Sequence, residues 1–544
     1  MLQLLWIPLL CVELVTQLFY LVTRSTLSPS LLGTYLEHVS LLSGAVASAP
    51  PTEHLVLSLL LLLGALVWPW LKITAAPVSP PAKRDKKAFL IKVMTTIALF
   101  TLALHPLRSS PAPRLAMQSM LALAAAPLLE ATSSPPSLRA SRELESTTQP
   151  PRSIILILLE STRADTLQAI PHRPETPRLR DTTYSTLAAR GTQLTHAFAA
   201  VPHTSLAILA MHCGVTPPTN LSHHDYAKLD ALDCLPRLLA RKGYETGYFQ
   251  GASLLFESNY ALLKQAGYET TMGADDLEPT PFERMNYFGY EARAILEPVS
   301  AWLDNLPKDK PFLLTTMTLA PHHDYQLPKG YELRQLHEDE TFNRYLNAVA
   351  YTDTWIAELL ALLEERGLLQ QSVVAIVGDH GEAFGEHGRN YHDNVIYQEA
   401  LHIPMLLMGP DVPKGERLDT PASQLDLLPT LAHLAGFRLD GPADGVNVLA
   451  ITEAEREAAN SRQLVSYCWY ERACAALIDW PYKFVHHFGN QPDELFHLIH
   501  DPLERDNLLM RKEAEDDALA AKYEPLLLEQ LGEKARYHGY FVEP

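Results

Sequence analysis

Two short apolar runs that end on charged residues limit what this chain can fold into more than any other feature. The run Ser372–Gly378 is followed by Asp379 and His380, and the run Ser153–Leu159 is followed by Glu160. Continuous apolar stretches of this length are typical of strands buried on both faces of a sheet. Because open α/β sheets bind ligands at the carboxyl ends of their strands, we expect these three polar side chains to share one site.

A third element supplies a hydroxyl. Thr204 stands just before an apolar run of helical length, so one interpretation is an ordinary helix N-cap. The functional interpretation uses the same geometry, since a helix N-terminus offers free N–H groups and a positive dipole end to a phosphate or sulfate. A carboxylate, an imidazole and a hydroxyl together suit a divalent metal, which would activate the hydroxyl as a nucleophile.

The order of apolar runs predicts the fold class. The strand-like runs Pro311–Met317 and Ile403–Met408 alternate with helical stretches such as Tyr351–Arg366. This alternation indicates an α/β domain over residues 153–450, with a mostly parallel central sheet and helices on both faces. From residue 451 to 544 the pattern changes to short strand-like runs and a terminal helix, which predicts a subdomain with a small antiparallel sheet.

Four motifs resemble a known family. Glu160–Asp165, Thr204–Ser205, Thr318–His322 and Gly378–Glu382 occur in the order of the alkaline phosphatase/sulfatase superfamily. They are most similar to its membrane-anchored branch, the lipoteichoic acid synthases and the lipid A phosphoethanolamine transferases. The resemblance implies an alkaline-phosphatase-like fold and metal-dependent transfer of a phospho-alcohol group from a lipid donor to a glycan or lipid acceptor.

Carried over residue by residue, the resemblance implies one divalent cation, zinc or manganese, with a second left open. Its ligands are expected to be Glu160, Thr204, Asp379 and His380, and Thr204 is also expected to be the nucleophile.

Three further histidines are expected on the substrate side. His322 matches the family histidine that contacts the transferred group, and His392 matches a substrate-side or second-metal histidine of the family. We expect both to take part in catalysis. His387, within a sulfatase-like Glu-His-Gly, competes with His392 for this role. Arg163 and Asp165 brace the loop or contact substrate, and both alternatives stay open.

Two departures from the family pattern leave the substrate open. Sulfatases carry Cys-x-Pro-x-Arg, whose Cys or Ser becomes formylglycine, whereas the matching stretch here is Thr204–Ile208, without Pro or Arg. In contrast, Gln424–Gly436 and Asp493–Asn507 resemble sulfatases more than transferases. A phosphotransferase is therefore expected first, a hydrolase of phosphate or sulfate esters second, and a non-catalytic lipid-binding membrane protein third.

The N-terminal part predicts membrane attachment. Leu2–Val22 is almost wholly apolar and long enough to cross the roughly 30 Å hydrocarbon layer of a bilayer. Leu55–Leu71 and Ala88–Leu104 are a second and a third candidate span. The basic cluster Lys83–Lys87 belongs in the cytoplasm by the positive-inside rule. We expect a multi-pass membrane region over residues 1–130, a Ser/Thr/Pro-rich linker over 131–152, and a catalytic domain on the periplasmic or extracellular side of the cytoplasmic membrane.

Charge and cysteines add two expectations. The formal net charge of −19 argues against nucleic acid as a partner. The apolar N-terminal segments predict the bilayer as a partner, and the family resemblance implies a membrane lipid donor. Of the five cysteines, four fall in the soluble part, where Cys213 with Cys234 and Cys468 with Cys474 are the favoured pairs. Sequence alone does not choose among the three possible connectivities, and buried reduced thiols remain an alternative.

Overall fold

The computed structural model describes residues 141–531, apart from 168–178, 219–220, 222, 230–231, 278–279, 287, 393, 450–452, 470–473 and 489–490. The chain divides into two units, Met1–Ser134 and Pro135–Pro544. The predicted membrane region, residues 1–130 with its three spans, lies outside the described residues. Within the part that the structure describes, no helix is both long enough and apolar enough to cross a bilayer.

The strands form one large sheet and three smaller ones. In chain order they are β1 (Glu143–Ser146), β2 (Ile154–Leu159), β3 (Thr192–Phe198), β4 (Glu245–Gln250), β5 (Thr270–Met272), β6 (Phe312–Met317), β7 (Val373–Gly378), β8 (Ala383–Phe384), β9 (Asn390–Tyr391), β10 (His402–Met408), β11 (Glu416–Leu418), β12 (Ala422–Ser423), β13 (Phe437–Asp440), β14 (Leu464–Tyr467), β15 (Ala475–Asp479), β16 (Tyr482–His486) and β17 (Glu494–His497).

The large sheet has nine strands in the order β11-β3-β10-β7-β2-β6-β4-β5, with β12 also paired to β3. Strands β7, β2, β6, β4 and β5 run parallel to one another, as predicted. Strand β10 is the exception, because it pairs antiparallel with both β3 and β7. The mostly parallel central sheet is thus confirmed, with one inverted strand inside it.

Helices and apolar side chains cover both faces of the large sheet. The α-helices are α1 (Ala164–Leu167), α2 (Thr183–Ala188), α3 (Thr204–Cys213), α4 (Leu235–Ala240), α5 (Asn259–Ala266), α6 (Leu296–Asp304), α7 (Glu340–Glu365), α8 (Gln398–Leu401), α9 (Leu427–Leu434), α10 (Glu453–Ser461) and α11 (Ala514–Leu531). Alternate residues of β2 belong to different cores: Leu156 packs with residues of α3, and Ile157 packs with residues of α7. Both faces of the central strand are therefore buried.

The C-terminal subdomain is an antiparallel sheet, β14-β15-β16-β17, followed by α11, as predicted. Disulfides join Cys213 to Cys234 and Cys468 to Cys474, which confirms the favoured pairing. One boundary needs correction: β1 lies inside the predicted linker 131–152 and pairs antiparallel with β13. The Ser/Thr/Pro-rich composition does not indicate this strand, because the strand is stabilised by backbone pairing with a segment distant in sequence and by the buried side chain of Leu144.

A buried ion pair inside the C-terminal subdomain holds Glu504, the residue that contacts the catalytic domain. Lys483 Nζ lies 2.6 Å from Glu504 Oε1, and both side chains are fully buried. The other carboxylate oxygen of Glu504 accepts a hydrogen bond from the backbone N–H of Gln398, at the start of α8. The backbone carbonyl of Glu504 accepts a second hydrogen bond from His387 Nε2 at 2.8 Å. Glu504 therefore ties the segment 385–401 to the C-terminal sheet.

Removing one partner of this pair should be costly. Glu504→Ala leaves a buried, unpaired ammonium group, so we expect it to lower the free energy of unfolding by about 3–5 kcal/mol. The double substitution Lys483→Met with Glu504→Gln should recover most of that loss, because neutral side chains of similar size avoid the cost of burying charge. Denaturant unfolding followed by tryptophan fluorescence measures both. A single variant within about 1 kcal/mol of wild type would contradict this account.

Candidate active site

The site begins where two neighbouring parallel strands end. Leu159 of β2 is paired in register with Gly378 of β7, so Glu160 and Asp379 follow at the same edge of the sheet. His380 comes next after Asp379. Because the side chains leave the sheet at one level, ligand atoms of Glu160, Asp379 and His380 all lie within 4.8 Å of one another.

Hydrogen bonds from the strand ends hold the two carboxylates in place. The backbone N–H of Ser161 donates to Asp379 Oδ1 at 2.8 Å, and the Ser161 hydroxyl donates to Glu160 Oε1 at 2.8 Å. The backbone N–H of Glu160 donates to the hydroxyl of Thr318, the residue that follows β6. Three adjacent strands therefore fix the direction of the carboxylates before any ligand binds.

Helix α3 brings the hydroxyl to this group. Thr204 is its first residue, and His203 is its N-cap in extended conformation. The Thr204 Oγ1 atom lies 3.3 Å from His380 Nε2 and 3.5 Å from Glu160 Oε2. The structure thus brings together all four residues that the sequence analysis assigned to the metal; their roles stay a prediction.

Burial makes the charged forms of these side chains unfavourable when no cation is bound. Burial, and then the neighbouring charge of Asp379, raises the pKa of Glu160 well above its ordinary value. Burial also raises the pKa of Asp379 and lowers the pKa of His380. Every one of these shifts disfavours the charged form, and a bound divalent cation would reverse them for the carboxylates.

The atoms left over suit such a cation. Asp379 Oδ2 is buried and has no hydrogen-bond partner among the described residues. His380 Nδ1 donates to the carbonyl of Gly381 at 2.9 Å, which leaves Nε2 as the lone-pair nitrogen, 3.4 Å from Asp379 Oδ2. Two ligand atoms on one tetrahedral zinc ion lie about 3–3.5 Å apart. The donor set therefore fits one divalent cation.

Comparison with known proteins agrees with this geometry. The family model described as "Sulfatase" matches residues 152–437, more than half of the chain. The chain belongs to the sulfatase family. It is accordingly an enzyme of the alkaline phosphatase/sulfatase superfamily, whose members depend on metal. A second model, "N-sulphoglucosamine sulphohydrolase, C-terminal", matches residues 385–530.

Curated relatives of this sulfatase-family enzyme match only in part. Arylsulfatase K of Danio rerio is 29% identical over 30% of this chain, and choline-sulfatase of Rhizobium meliloti is 29% identical over 34%. These matches span 33% and 36% of the two relatives' own lengths. A low-salt glycan biosynthesis sulfotransferase of Haloferax volcanii is 26% identical, over 57% of this chain and 67% of its own length.

Solved structures show the same fold at low identity. A protein of the alkaline phosphatase superfamily from Vibrio parahaemolyticus has a TM-score of 0.56 and 16% identity, covering 77% of this chain and 96% of its own. The lipoteichoic acid synthase from Listeria monocytogenes has a TM-score of 0.54 and 15% identity, covering 73% and 95%. These likenesses establish the alkaline-phosphatase-like fold.

A second group of ligand atoms lies beside the first in the sulfatase-family site. His323, Glu382 and His392 also offer ligand atoms within 4.8 Å of one another. Glu382 Oε2 accepts a hydrogen bond from His392 Nδ1 at 2.7 Å, and Oε1 accepts one from Tyr325 at 2.9 Å. The rings of His380 and His392 are 4.0 Å apart, so the two groups adjoin. This group fits the second metal that the sequence analysis left open.

Sequence reasoning gave no role to two members of this second group. Glu382 stands inside the motif Gly378–Glu382, in the loop that follows a strand. Side chains alternate between two faces only within the strand, so the sequence does not predict which side chains of the loop turn toward the site. His323 follows His322, which was preferred on the family match. The rings of His322 and His323 both lie at the site, with their centroids 4.1 Å apart. A pair of adjacent histidines after β6 was the signal available in the sequence.

The other predicted histidines have different surroundings. His322 is buried, and its Nδ1 donates to the carbonyl of His323 at 2.6 Å, so Nε2 is available for a ligand. His387 has both ring nitrogens engaged, by Glu399 at 2.8 Å and by the Glu504 carbonyl. Burial opposes protonation, but the hydrogen bond and charge of Glu399 raise the pKa of His387 to about 9. The structure therefore favours His392 over His387 for substrate contact.

Arg163 and Asp165 form a brace. The guanidinium of Arg163 contacts both oxygens of Asp165, at 3.0 and 2.8 Å, and Glu386 at 2.7 Å. Of the two alternatives for this motif, bracing the loop after β2 is the one that these contacts support.

His212, near the end of α3, bonds to the Ile208 carbonyl and to the hydroxyl of Tyr268 inside the core.

Metal binding should depend on Asp379 and on pH. Asp379→Asn removes a ligand, so we expect metal affinity to fall by more than the roughly 10- to 100-fold that losing an outer-shell partner costs. Because the pKa values of Glu160 and Asp379 are raised, protons compete with the cation, and affinity should decrease from neutral to mildly acidic pH. Calorimetric titration with zinc or manganese measures both effects.

A matched control is Asp353→Asn, which changes a buried carboxylate of α7 that accepts bonds from the backbone of Thr183 and Tyr184. It should bind metal like wild type. Equal affinity for wild type and Asp379→Asn would show that the cation binds elsewhere.

Proposed function

We propose that this sulfatase-family enzyme transfers a phospho-alcohol group, of phosphoethanolamine or phosphoglycerol type, from a lipid donor through a covalent phospho-threonine at Thr204. The observation that carries the proposal is the Thr204 hydroxyl at the N-terminus of α3, within 3.5 Å of Glu160 and His380. Threonine lacks the primary Cβ from which formylglycine is made. The hydroxyl itself is therefore the nucleophile.

Glu160, Asp379 and His380 would hold one divalent cation, zinc or manganese, together with the Thr204 oxygen. When bound, the cation lowers the pKa of the hydroxyl and offsets negative charge on the phosphodiester. The second group, His323, Glu382 and His392, would hold a further cation or contact the phosphate oxygens. The identity of the metal is part of this proposal.

In the first half of the reaction, Thr204 Oγ1 forms a bond to phosphorus, and the bond from phosphorus to the lipid alcohol oxygen breaks. The free N–H groups and dipole at the start of α3 stabilise the phosphoryl oxygens in this position. The Thr204 hydroxyl loses its proton to water as its bond to phosphorus forms, and the departing alkoxide takes up a proton from water and leaves as the lipid alcohol. The phospho-alcohol group remains esterified to Thr204.

In the second half, an acceptor hydroxyl attacks phosphorus on the side from which the lipid alcohol left. Burial lowers the pKa of His322 to about 4, so its imidazole is neutral at neutral pH. Its Nδ1–H is engaged by the His323 carbonyl, and Nε2 therefore accepts the proton of the attacking hydroxyl. The Thr204–phosphorus bond then breaks, the Thr204 oxygen takes up a proton from water to restore the hydroxyl, and His322 releases to water the proton that it accepted.

We place the catalytic unit on the periplasmic or extracellular side of the cytoplasmic membrane, attached through the apolar segments of residues 1–130. The two disulfides in the catalytic unit support this placement, because disulfides persist in oxidising compartments. The partners in this proposal are the bilayer, a lipid donor and a glycan or lipid acceptor.

Hydrolysis of phosphate or sulfate esters is the second candidate function. The match of residues 385–530 to a sulphohydrolase C-terminal model favours it, as do the sulfatases among the relatives. In that case water takes the place of the acceptor hydroxyl in the second half of the reaction. The nucleophile and the first half are unchanged.

Thr204 variants test the covalent step. Thr204→Ala should abolish turnover and the mass adduct, because no hydroxyl is left to attack phosphorus. Thr204→Ser keeps a hydroxyl and should form a phosphoserine adduct at a reduced rate. Intact-mass measurement of the full chain after incubation with phosphatidylethanolamine or phosphatidylglycerol vesicles detects either adduct. Full turnover by Thr204→Ala would defeat the assignment of the nucleophile.

The fate of the adduct separates the two candidate functions. With labelled donor lipid and a sugar alcohol added at increasing concentration, a transferase should pass label to the alcohol in preference to water. A hydrolase should release free phospho-alcohol in unchanged yield. Product analysis by mass spectrometry reads the ratio directly, and label found only in the water product would favour hydrolysis.

A further inference from the structure

The C-terminal subdomain reaches the catalytic domain at both ends of α3, the helix that begins with Thr204. On the entry side, the segment before the helix receives two hydrogen bonds from β14. The Ser466 hydroxyl donates to the carbonyl of Ala199 at 2.7 Å, and the backbone N–H of Tyr467 donates to the carbonyl of Ala200 at 3.2 Å. These bonds fix the chain only a few residues before the nucleophile.

The N-cap of α3 is held from three directions. The ring of Trp469, just beyond β14, stacks on His203 with centroids 3.7 Å apart and an angle of 19° between the planes. His203 Nε2 lies 3.1 Å from Glu257 Oε1, and the Ser205 hydroxyl lies 3.2 Å from His203 Nδ1. Both ring nitrogens of His203 therefore contact polar side chains of the protein. Because His203 immediately precedes Thr204, these contacts restrain the backbone next to Thr204.

On the exit side, the same strand contacts the chain that leaves α3. The Tyr467 hydroxyl, fully buried, donates to the carbonyl of Pro217 at 2.7 Å. The disulfide from Cys213 to Cys234 ties the last residue of α3 to the start of α4. A short stretch of β14 thus brackets the nucleophile helix before its first residue and after its last.

A second disulfide closes the loop that carries Trp469. Cys468 is bonded to Cys474, and the backbone N–H of Cys468 donates to the carbonyl of Cys474 at 2.8 Å. The bridge spans only six residues and follows directly on Tyr467. The bridge therefore constrains the backbone at Cys468, the residue immediately before Trp469.

We propose that Tyr467 and Trp469 are positioning residues, through which the C-terminal subdomain sets the direction in which Thr204 presents its hydroxyl. This inference rests on the proposed role of Thr204 as nucleophile. Misplacing a reacting group by about 1 Å costs on the order of a hundredfold in rate. Contacts at both ends of α3 hold Thr204 in position and so prevent this loss of rate.

Trp469→Leu tests the proposal. It removes the ring stacked on His203, and we expect the rate of adduct formation on Thr204 to fall by about 10- to 100-fold. The KM for a vesicle donor, the metal content and the melting temperature should stay near wild type, because the ligands are untouched. Trp469→Phe keeps a stacked ring and should restore most of the rate. Opening the loop with Cys468→Ser and Cys474→Ser together should reproduce the Trp469→Leu rate.

The subdomain offers matched controls. Trp480→Leu removes another ring that contacts a histidine, His196, with centroids 3.9 Å apart and the planes tilted by 33°, and it should leave the rate unchanged. Tyr467→Phe deletes only the hydroxyl bonded to Pro217 and should slow adduct formation, whereas Tyr523→Phe deletes a hydroxyl elsewhere in the subdomain and should not.

The outcomes separate the two proposals. Equal adduct rates for Trp469→Leu, Trp480→Leu and wild type would overturn the positioning role alone. Absence of any adduct in wild type would overturn the nucleophile assignment and, with it, this inference. If Trp469→Leu fails to fold, Tyr467→Phe at an unchanged melting temperature decides: a rate equal to that of Tyr523→Phe contradicts the bracket.

Discussion

The burial of two carboxylates side by side is the constraint on which the rest of this structure depends. Glu160 and Asp379 follow neighbouring parallel strands in register, so the sheet itself forces them together in a water-poor environment. Their mutual repulsion and loss of hydration are unfavourable unless a cation is bound. Ser161 donates hydrogen bonds to both carboxylates, the Thr318 hydroxyl accepts one from the backbone N–H of Glu160, and the Thr204 hydroxyl lies beside the Glu160 carboxylate. The need for a cation therefore follows from the repulsion between two carboxylates that the fold buries side by side.

The site is also composite. Segment 385–401 carries His392 and is tied to the C-terminal subdomain by the buried carboxylate of Glu504. The nucleophile helix is bracketed by β14 of the same subdomain. The C-terminal subdomain, which supplies none of the four predicted metal ligands, therefore contacts two elements that carry predicted site residues. One family model matches residues 385–530, a range that contains both this segment and most of the subdomain.

The sequence predicted those features that depend on local pattern. Apolar runs that end on Glu160 and on Asp379 marked the strand ends, and the helix start marked Thr204. Features that depend on how a loop turns were beyond reach: His323 and Glu382 join the second group only because the backbone after β6 and β7 points them inward. The choice between His387 and His392 needed the partners of each ring, and β1 and the inverted β10 depend on pairings distant in sequence. The sequence analysis assigned no role to His203, because its contacts with Glu257 and Trp469 join segments distant in sequence.

The central claim is that four side chains from three distant segments converge on one cation, with a hydroxyl among them. Anomalous diffraction from crystals of the full chain grown with zinc or manganese tests it most directly. The account predicts a strong peak about 2.0–2.2 Å from oxygens of Glu160 and Asp379 and from His380 Nε2, with Thr204 Oγ1 turned toward it. A peak elsewhere, or a Thr204 hydroxyl that faces away from the bound metal, would contradict the claim.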